Sequence, residues 1–166
     1  MRVLHKYFSV DTGIRINFFD ITSKIREIVS ESGLSNGIVN VFSQHTSCSV
    51  FIQEDSEDVT AWNSTPLILQ DTVNVLEKII PTCQYQGQYL HPGNIHMQHA
   101  MEWRQEKPEW LLNTDAHLRS VLLGRSATIP LSNGEMILGE FGVVYFADFD
   151  QTRERHRTVI VTLIAE

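Results

Sequence analysis

The sequence predicts an α+β fold, a single domain over residues 1–166. Three observations predict it. First, 166 residues with 42% hydrophobic and 20% charged side chains have a globular composition, long enough for one core. Second, Val-, Ile- and Phe-rich segments recur along the chain, interspersed with segments of helical periodicity. Third, strands and helices do not alternate strictly, which disfavours a doubly wound parallel sheet.

The elements follow in order. Residues 3–10 and 14–19 read as strands joined by Asp11-Thr12-Gly13, a hairpin signal. Asp20 is placed to cap a helix whose Ile21, Ile25, Ile28 and Val29 share one face, with Gly33 as its stop. Residues 38–43 and 47–54 read as strands. Thr65-Pro66 reads as a cap and first helical position, with Leu69, Val73, Leu76 and Ile80 continuing the helix until Pro81. Residues 82–111 read as a long loop carrying His91, His96 and His99; a loop of that length in a compact domain is usually functional or mobile. Asn113 or Thr114 caps a short helix closed by Gly124. Strands at 127–131, 136–138, 142–149 and 158–164 complete the chain, the first two joined through Ser132-Asn133-Gly134.

Net charge is −7, which argues against nucleic acid or an anionic membrane as a bulk electrostatic partner, leaving only a local basic patch around Arg153, Arg155 and Arg157. No apolar run approaches the roughly 20 residues that span a bilayer, and the N-terminus lacks a signal-peptide core. Two cysteines, Cys48 and Cys83, make neither a disulfide framework nor a cysteine zinc motif, so a cytoplasmic location is expected. Seven histidines are the compositional oddity.

Imidazole ligates metals and moves protons near neutral pH. His45 stands in Gln44-His45-Thr46-Ser47, at a junction of two strands. There a side chain can face a cleft from rigid backbone; equally it can be a hydrogen-bonded strand terminus. His117 falls in the first turn of a helix, whose positive end favours neutral imidazole, with Asn113 or Asp115 as orienting partners or as plain caps. His91, His96 and His99 lie within nine residues, near Glu102. That spacing allows a metal site, although a solvated loop is the plainer reading of His96 and His99. Of the acidic run Glu54, Asp55, Glu57 and Asp58, Glu54 sits at the strand end and is the candidate carboxylate. Gly124-Arg125-Ser126 can offer donors to a phosphate, or simply end the helix.

Taken in order, Gln44-His45-Thr46-Ser47-Cys48-Ser49, Gln53-Glu54, Tyr89-Leu90-His91, Ala116-His117-Leu118, Leu123-Gly124-Arg125-Ser126, Ile129-Pro130, Leu138-Gly139 and Arg157-Thr158-Val159-Ile160-Val161 resemble the YjbQ-like family, also called the secondary thiamine-phosphate synthase family. The resemblance implies a curved mixed sheet or sandwich and a homotrimer. It also implies an activity that joins a pyrimidine diphosphate to a thiazole phosphate and releases pyrophosphate. It places the family's histidines on His45, His91 and His117 as metal ligands for zinc, or magnesium or manganese. It makes His45, Glu54 and His117 the catalytic set. Ser47, Asn113, Arg125, Ser126 and Arg157 then contact a small-molecule phosphate substrate. The chain departs from the family pattern at Leu112-Asn113, at Gly139-Glu140-Phe141-Gly142 and at Asp148-Phe149-Asp150, and carries insertions near 60–70 and 94–109. The remaining expectations are a metal-dependent hydrolase of a small phosphate or amide, with Glu54 as base, and a non-catalytic metal- or metabolite-binding protein.

Overall fold

The computed structural model describes all residues, Met1–Glu166. Two antiparallel sheets face each other. The larger contains β1 (Arg2–Thr12), β8 (Arg155–Ala165), β3 (Gly37–Ser43), β5 (Ser126–Ser132) and β6 (Glu135–Met136), in that spatial order. The smaller contains β2 (Asn17–Asp20), β7 (Gly142–Asp148) and β4 (Cys48–Glu54). Every pairing is antiparallel, where the resemblance implied a mixed sheet. The helices are α1 (Thr22–Ser32), α2 (Leu67–Ile79), α3 (Asn94–Arg104) and α4 (Thr114–Leu123), with a 3-10 turn at Pro108–Leu111. No helix is long and apolar enough to cross a membrane.

Alternation along the strands builds the core. Val39 and Val41 on β3, and Val159, Val161 and Leu163 on β8, point inward from the large sheet. They meet Cys48, Val50, Val144 and Phe146 of the small sheet, and Ile25, Ile28 and Val29 of α1. The other face of β7 is also covered: Ala147, with Phe149 just beyond the strand, packs with Leu76 of α2 and Ala116 of α4. A strand buried on both faces has no polar side to display, so Val143–Ala147 reads as an unbroken apolar run up to Asp148.

Three expectations are corrected. The first two strands do not form a hairpin. β1 pairs with β8 along its whole length, from Arg2 opposite Ala165 to Thr12 opposite Arg155, while β2 crosses to the other sheet and pairs with β7. An eleven-residue partner of matching alternation outcompetes a short local turn. Residues 82–111 are not a continuous loop, because α3 and the 3-10 turn occupy them. α3 buries only Met97 and Ala100, which pack on Leu111, so it lacks the broad apolar stripe that marks a helix in sequence. Finally, Pro66 rather than Thr65 precedes the first residue of α2.

The chain crosses between the sheets at residues 44–47, from β3 to β4, and again at 149–154, from β7 to β8. These crossings lie side by side: Phe149 N–H donates to the Ser47 carbonyl at 3.1 Å, and Cys48 pairs with Asp148. α4 is pinned beside them, since Ser120 Oγ donates to the Cys48 carbonyl at 2.6 Å. The start of α4 is held there as well, since Asn113 Nδ2 donates to Asp150 Oδ2 at 3.2 Å, so the two crossings and the start of α4 meet at one end of the sandwich.

Candidate functional site

At that end the inward register of β8 continues from Val161 and Val159 to Arg157, so the core row terminates in a guanidinium. Arg157 binds Asp148 through two nitrogens, Nε to Oδ2 at 2.7 Å and Nη2 to Oδ1 at 3.1 Å, and donates to Ser47 Oγ at 2.9 Å. Asp148 also accepts Thr12 Oγ1 at 2.8 Å and the Asp150 N–H at 3.0 Å. Buried charges persist when they are paired and hydrogen-bonded in this way. Asp150 is equally committed. One oxygen takes the Thr152 hydroxyl and amide, and the other takes Arg155 at 2.7 Å and Asn113 at 3.2 Å. Burial alone would raise its pKa, but the Thr152 donors and Arg155 hold the carboxyl below the usual aspartate value.

A polar pocket of about 290 Å³ opens over this network, lined by Gln44, His45, Thr46, Ser47, Asn113, His117, Asp150, Arg155 and Arg157, with no hydrophobic residue. It adjoins a larger cleft of about 540 Å³, with which it shares Thr46, Asn113, His117 and Arg155. The cleft adds His91, His96, Arg104, Glu106, Trp110, Leu111, Thr114 and Leu118. His91 and His96 rings lie 4.8 Å apart, and His91 and His117 rings 6.3 Å apart. Thr114 at the start of α4 fixes the approach of the His91 segment by donating to the His91 carbonyl at 2.6 Å. Burial, followed by the neighbouring His96 and His117, lowers the His91 pKa. Burial, then Arg157, does the same for His45.

The structure thus brings together His45, His91, His117, Ser47, Asn113 and Arg157 of the expected set. It does not bring Glu54, Arg125 or Ser126 to the cleft. Glu54 is exposed at the far end of seven-residue β4, roughly 20 Å along the strand from its start. Arg125 lies over the Phe42 ring at 5.7 Å, and Ser126 Oγ accepts from Asn40 at 2.7 Å on the outer sheet face. Asp115 turns away and lines a separate pocket beside Cys83. His96 joins the cleft because α3 exists; read as a loop residue it had no fixed direction. Asp148, Asp150 and Arg155 are the groups that sequence reasoning left unassigned. Their signal was two acids and two arginines, each pair two residues apart, flanking one short crossing. The expected basic patch is neutralised: Arg153 pairs with Glu106 at 3.0 Å, Arg155 with Asp150 and Arg157 with Asp148.

The donors of one chain do not fit a three-ligand metal centre. No three His, Cys, Asp or Glu side chains converge on a common point. His45 Nε2 already accepts the Thr158 backbone N–H at 2.9 Å. What the site offers within one chain is imidazole acid–base capacity beside a set of hydrogen-bond donors.

The comparisons with known proteins agree with this fold. The family model described as "UPF0047 protein YjbQ-like" matches residues 6–166. A UPF0047 protein of Methanothermobacter thermautotrophicus is 33% identical over 161 residues, covering 97% of this chain and 93% of the relative. One from Methanocaldococcus jannaschii is 30% identical, covering 93% and 91%. A YjbQ/UPF0047 family protein of Clostridium acetobutylicum has a crystal structure similar at a TM-score of 0.71 and 28% identity, covering 96% of this chain and 99% of that one. The Aeropyrum pernix protein shares the fold at a TM-score of 0.73 and 24% identity, covering 98% and 99%. This chain belongs to the YjbQ-like UPF0047 family.

Proposed function

We propose that the chain is a transferase of the thiamine-phosphate synthase type, acting on a small phosphorylated molecule in the His91–His96–His117 cleft. The observation that carries this reading is the convergence of imidazoles from separate segments on a cleft whose polar end is lined by hydrogen-bond donors. In such a transfer the carbon–oxygen bond to pyrophosphate breaks, and the thiazole nitrogen forms a bond to the freed methylene carbon. The leaving group departs with the bonding electron pair, and no net proton transfer is required. The demand on the protein is therefore to stabilise developing negative charge. Asn113, Thr46 and the imidazoles are placed for that task. Trp110 and the imidazole rings offer flat surfaces against which heteroaromatic rings can pack. A divalent ion, implied by the family resemblance, would have to take donors from the substrate or from a neighbouring chain as well.

Free, buried Cys48 and Cys83 suit a cytoplasmic site of action. A homotrimer is part of the proposal, supported by the exposed apolar side chains Val75, Ile79, Val121 and Leu122 on α2 and α4. The test is release of pyrophosphate from the pyrimidine diphosphate and thiazole phosphate pair, with and without added zinc, magnesium or manganese. His117→Ala is expected to lower the rate about 100- to 1,000-fold. Turnover no faster than that of the variant would contradict the reading.

A further inference from the structure

β3 leaves the large sheet after Ser43, which pairs with Val159 of β8. The N–H of Thr158, one residue past that pair, has no strand residue opposite it on this side. His45 Nε2 fills the gap and accepts that N–H at 2.9 Å. A backbone amide can only donate, so Nε2 must present its lone pair. The ring is then neutral and carries its proton on Nδ1. Nδ1 has no hydrogen-bond partner in the chain and is not sealed from solvent, on a residue that lines the polar pocket.

The pocket's carboxylates are already spent. Both oxygens of Asp150 take internal donors, and Asp148 is saturated below it. Among the groups left without a partner in the chain, the Thr46 hydroxyl, the Gln44 amide, the His117 ring and the His45 N–H can all donate. A pocket whose unspent groups can donate, and whose carboxylates are neutralised by arginines, selects an oxygen-rich anion.

We infer that His45 is held as its Nδ1–H tautomer and donates a hydrogen bond to a phosphate oxygen of the ligand, instead of ligating a metal or accepting a proton. This assignment rests on the proposed phosphorylated substrate. It follows from one constraint: a neutral imidazole has a single lone pair, and the Thr158 amide occupies it. A metal bond or a proton at Nε2 would first have to break that hydrogen bond. His45 is thus a ligand-binding residue, while His91, His96 and His117 keep the acid–base capacity.

Ring nitrogen-15 NMR of the full chain reads the tautomer directly. The expected spectrum has His45 protonated at Nδ1 and bare at Nε2, unchanged by one equivalent of zinc. A proton on Nε2, or a zinc-induced shift there, overturns the inference. Calorimetry with inorganic pyrophosphate then reads the donor. In His45→Gln the side-chain oxygen reaches the Nε2 position and still accepts from Thr158, but the Nδ1 donor is gone. In His45→Asn the amide nitrogen stands at the Nδ1 position. Affinity is expected to fall about tenfold or more in His45→Gln and to stay within about threefold of wild type in His45→Asn. Equal affinities for wild type and His45→Gln would overturn the His45 assignment and leave the phosphorylated substrate standing. A wild type that binds no pyrophosphate would overturn both. The Thr158 amide, protected from exchange in His45→Gln, reports that this variant is folded.

Discussion

The charged residues under the pocket are a structural base as much as a chemical one. Arg157 and Asp148 are almost fully enclosed, so neither is tolerable without the other. Asp148→Asn should destabilise the fold by about 3–5 kcal/mol, because it strips the compensating charge from a buried guanidinium. Denaturant unfolding measures this, and a loss below about 1 kcal/mol would show that Asp150, 3.7 Å from Arg157, takes over. His45 gives a second prediction through pH. Burial and Arg157, followed by Arg155, outweigh the attraction of Asp148 and lower its pKa below 6.5 in the fold. The unfolded chain therefore binds this proton first as pH falls. The contribution is intact above pH 6.5 and is lost as pH drops from 6.5 through the folded value. Stability of the wild type should decline over that window, and His45→Gln should flatten the decline. An unchanged slope in the variant would assign the pH dependence to other groups, of which His91, also lowered by burial, is the nearest.

At the scale of elements, the part of the fold that was legible in sequence is the part in which local pattern and tertiary burial agree. α1, with Ile25, Ile28 and Val29 on one face and Gly33 at φ 65°, is such a case. The Asn133-Gly134 turn, with φ of 53° and 80°, is another. α4 runs between Asn113 and Gly124 as its pattern indicates, although the Asn113 side chain bonds Asp150 and makes no cap hydrogen bond. The misread elements are those decided by distant partners. Nothing near Asp11-Thr12-Gly13 announces that β1 prefers β8, more than a hundred residues away. α3 hides because its burial is limited to Met97 and Ala100. The same weakness makes a prediction about motion. α3 rests on a three-residue apolar cluster, whereas β3 and β8 rest on one of nineteen. Hydrogen exchange should therefore open α3 well before β3 and β8, by local unfolding that carries His96 out of the cleft. Equal protection of α3 and β8 would mean that α3 unfolds only with the whole domain. The site divided in the same way. His45, His91, His117, Ser47 and Arg157 stand in segments that carry the family resemblance, whereas Asn113 was read from its place at the start of a helix. Asp150 and Arg155 were not assigned, because their value lies in a network closed only when two crossings meet.

For the whole molecule, an apolar surface is left on one side and a polar cleft on another. Leu122 is 56% exposed, and it lines one apolar groove between α2 and α4 with Val75 and Ile79. If copies of the chain meet there, Leu122→Glu should shift the assembly toward monomer without unfolding it. Sedimentation velocity reads this, and an unchanged assembly would move the contact elsewhere. The cleft is the proposed ligand site, and the histidines supply their own reporters and controls. His5 bonds Thr162 on the outer sheet face and His156 pairs with Asp11, both away from the cleft. The most direct measurement is a titration of inorganic pyrophosphate followed on the histidine ring resonances. Phosphate binding in the cleft predicts saturable shifts of His45, His91, His96 and His117, with His5 and His156 unmoved. Shifts confined to His5 or His156, or none at any histidine, would contradict it.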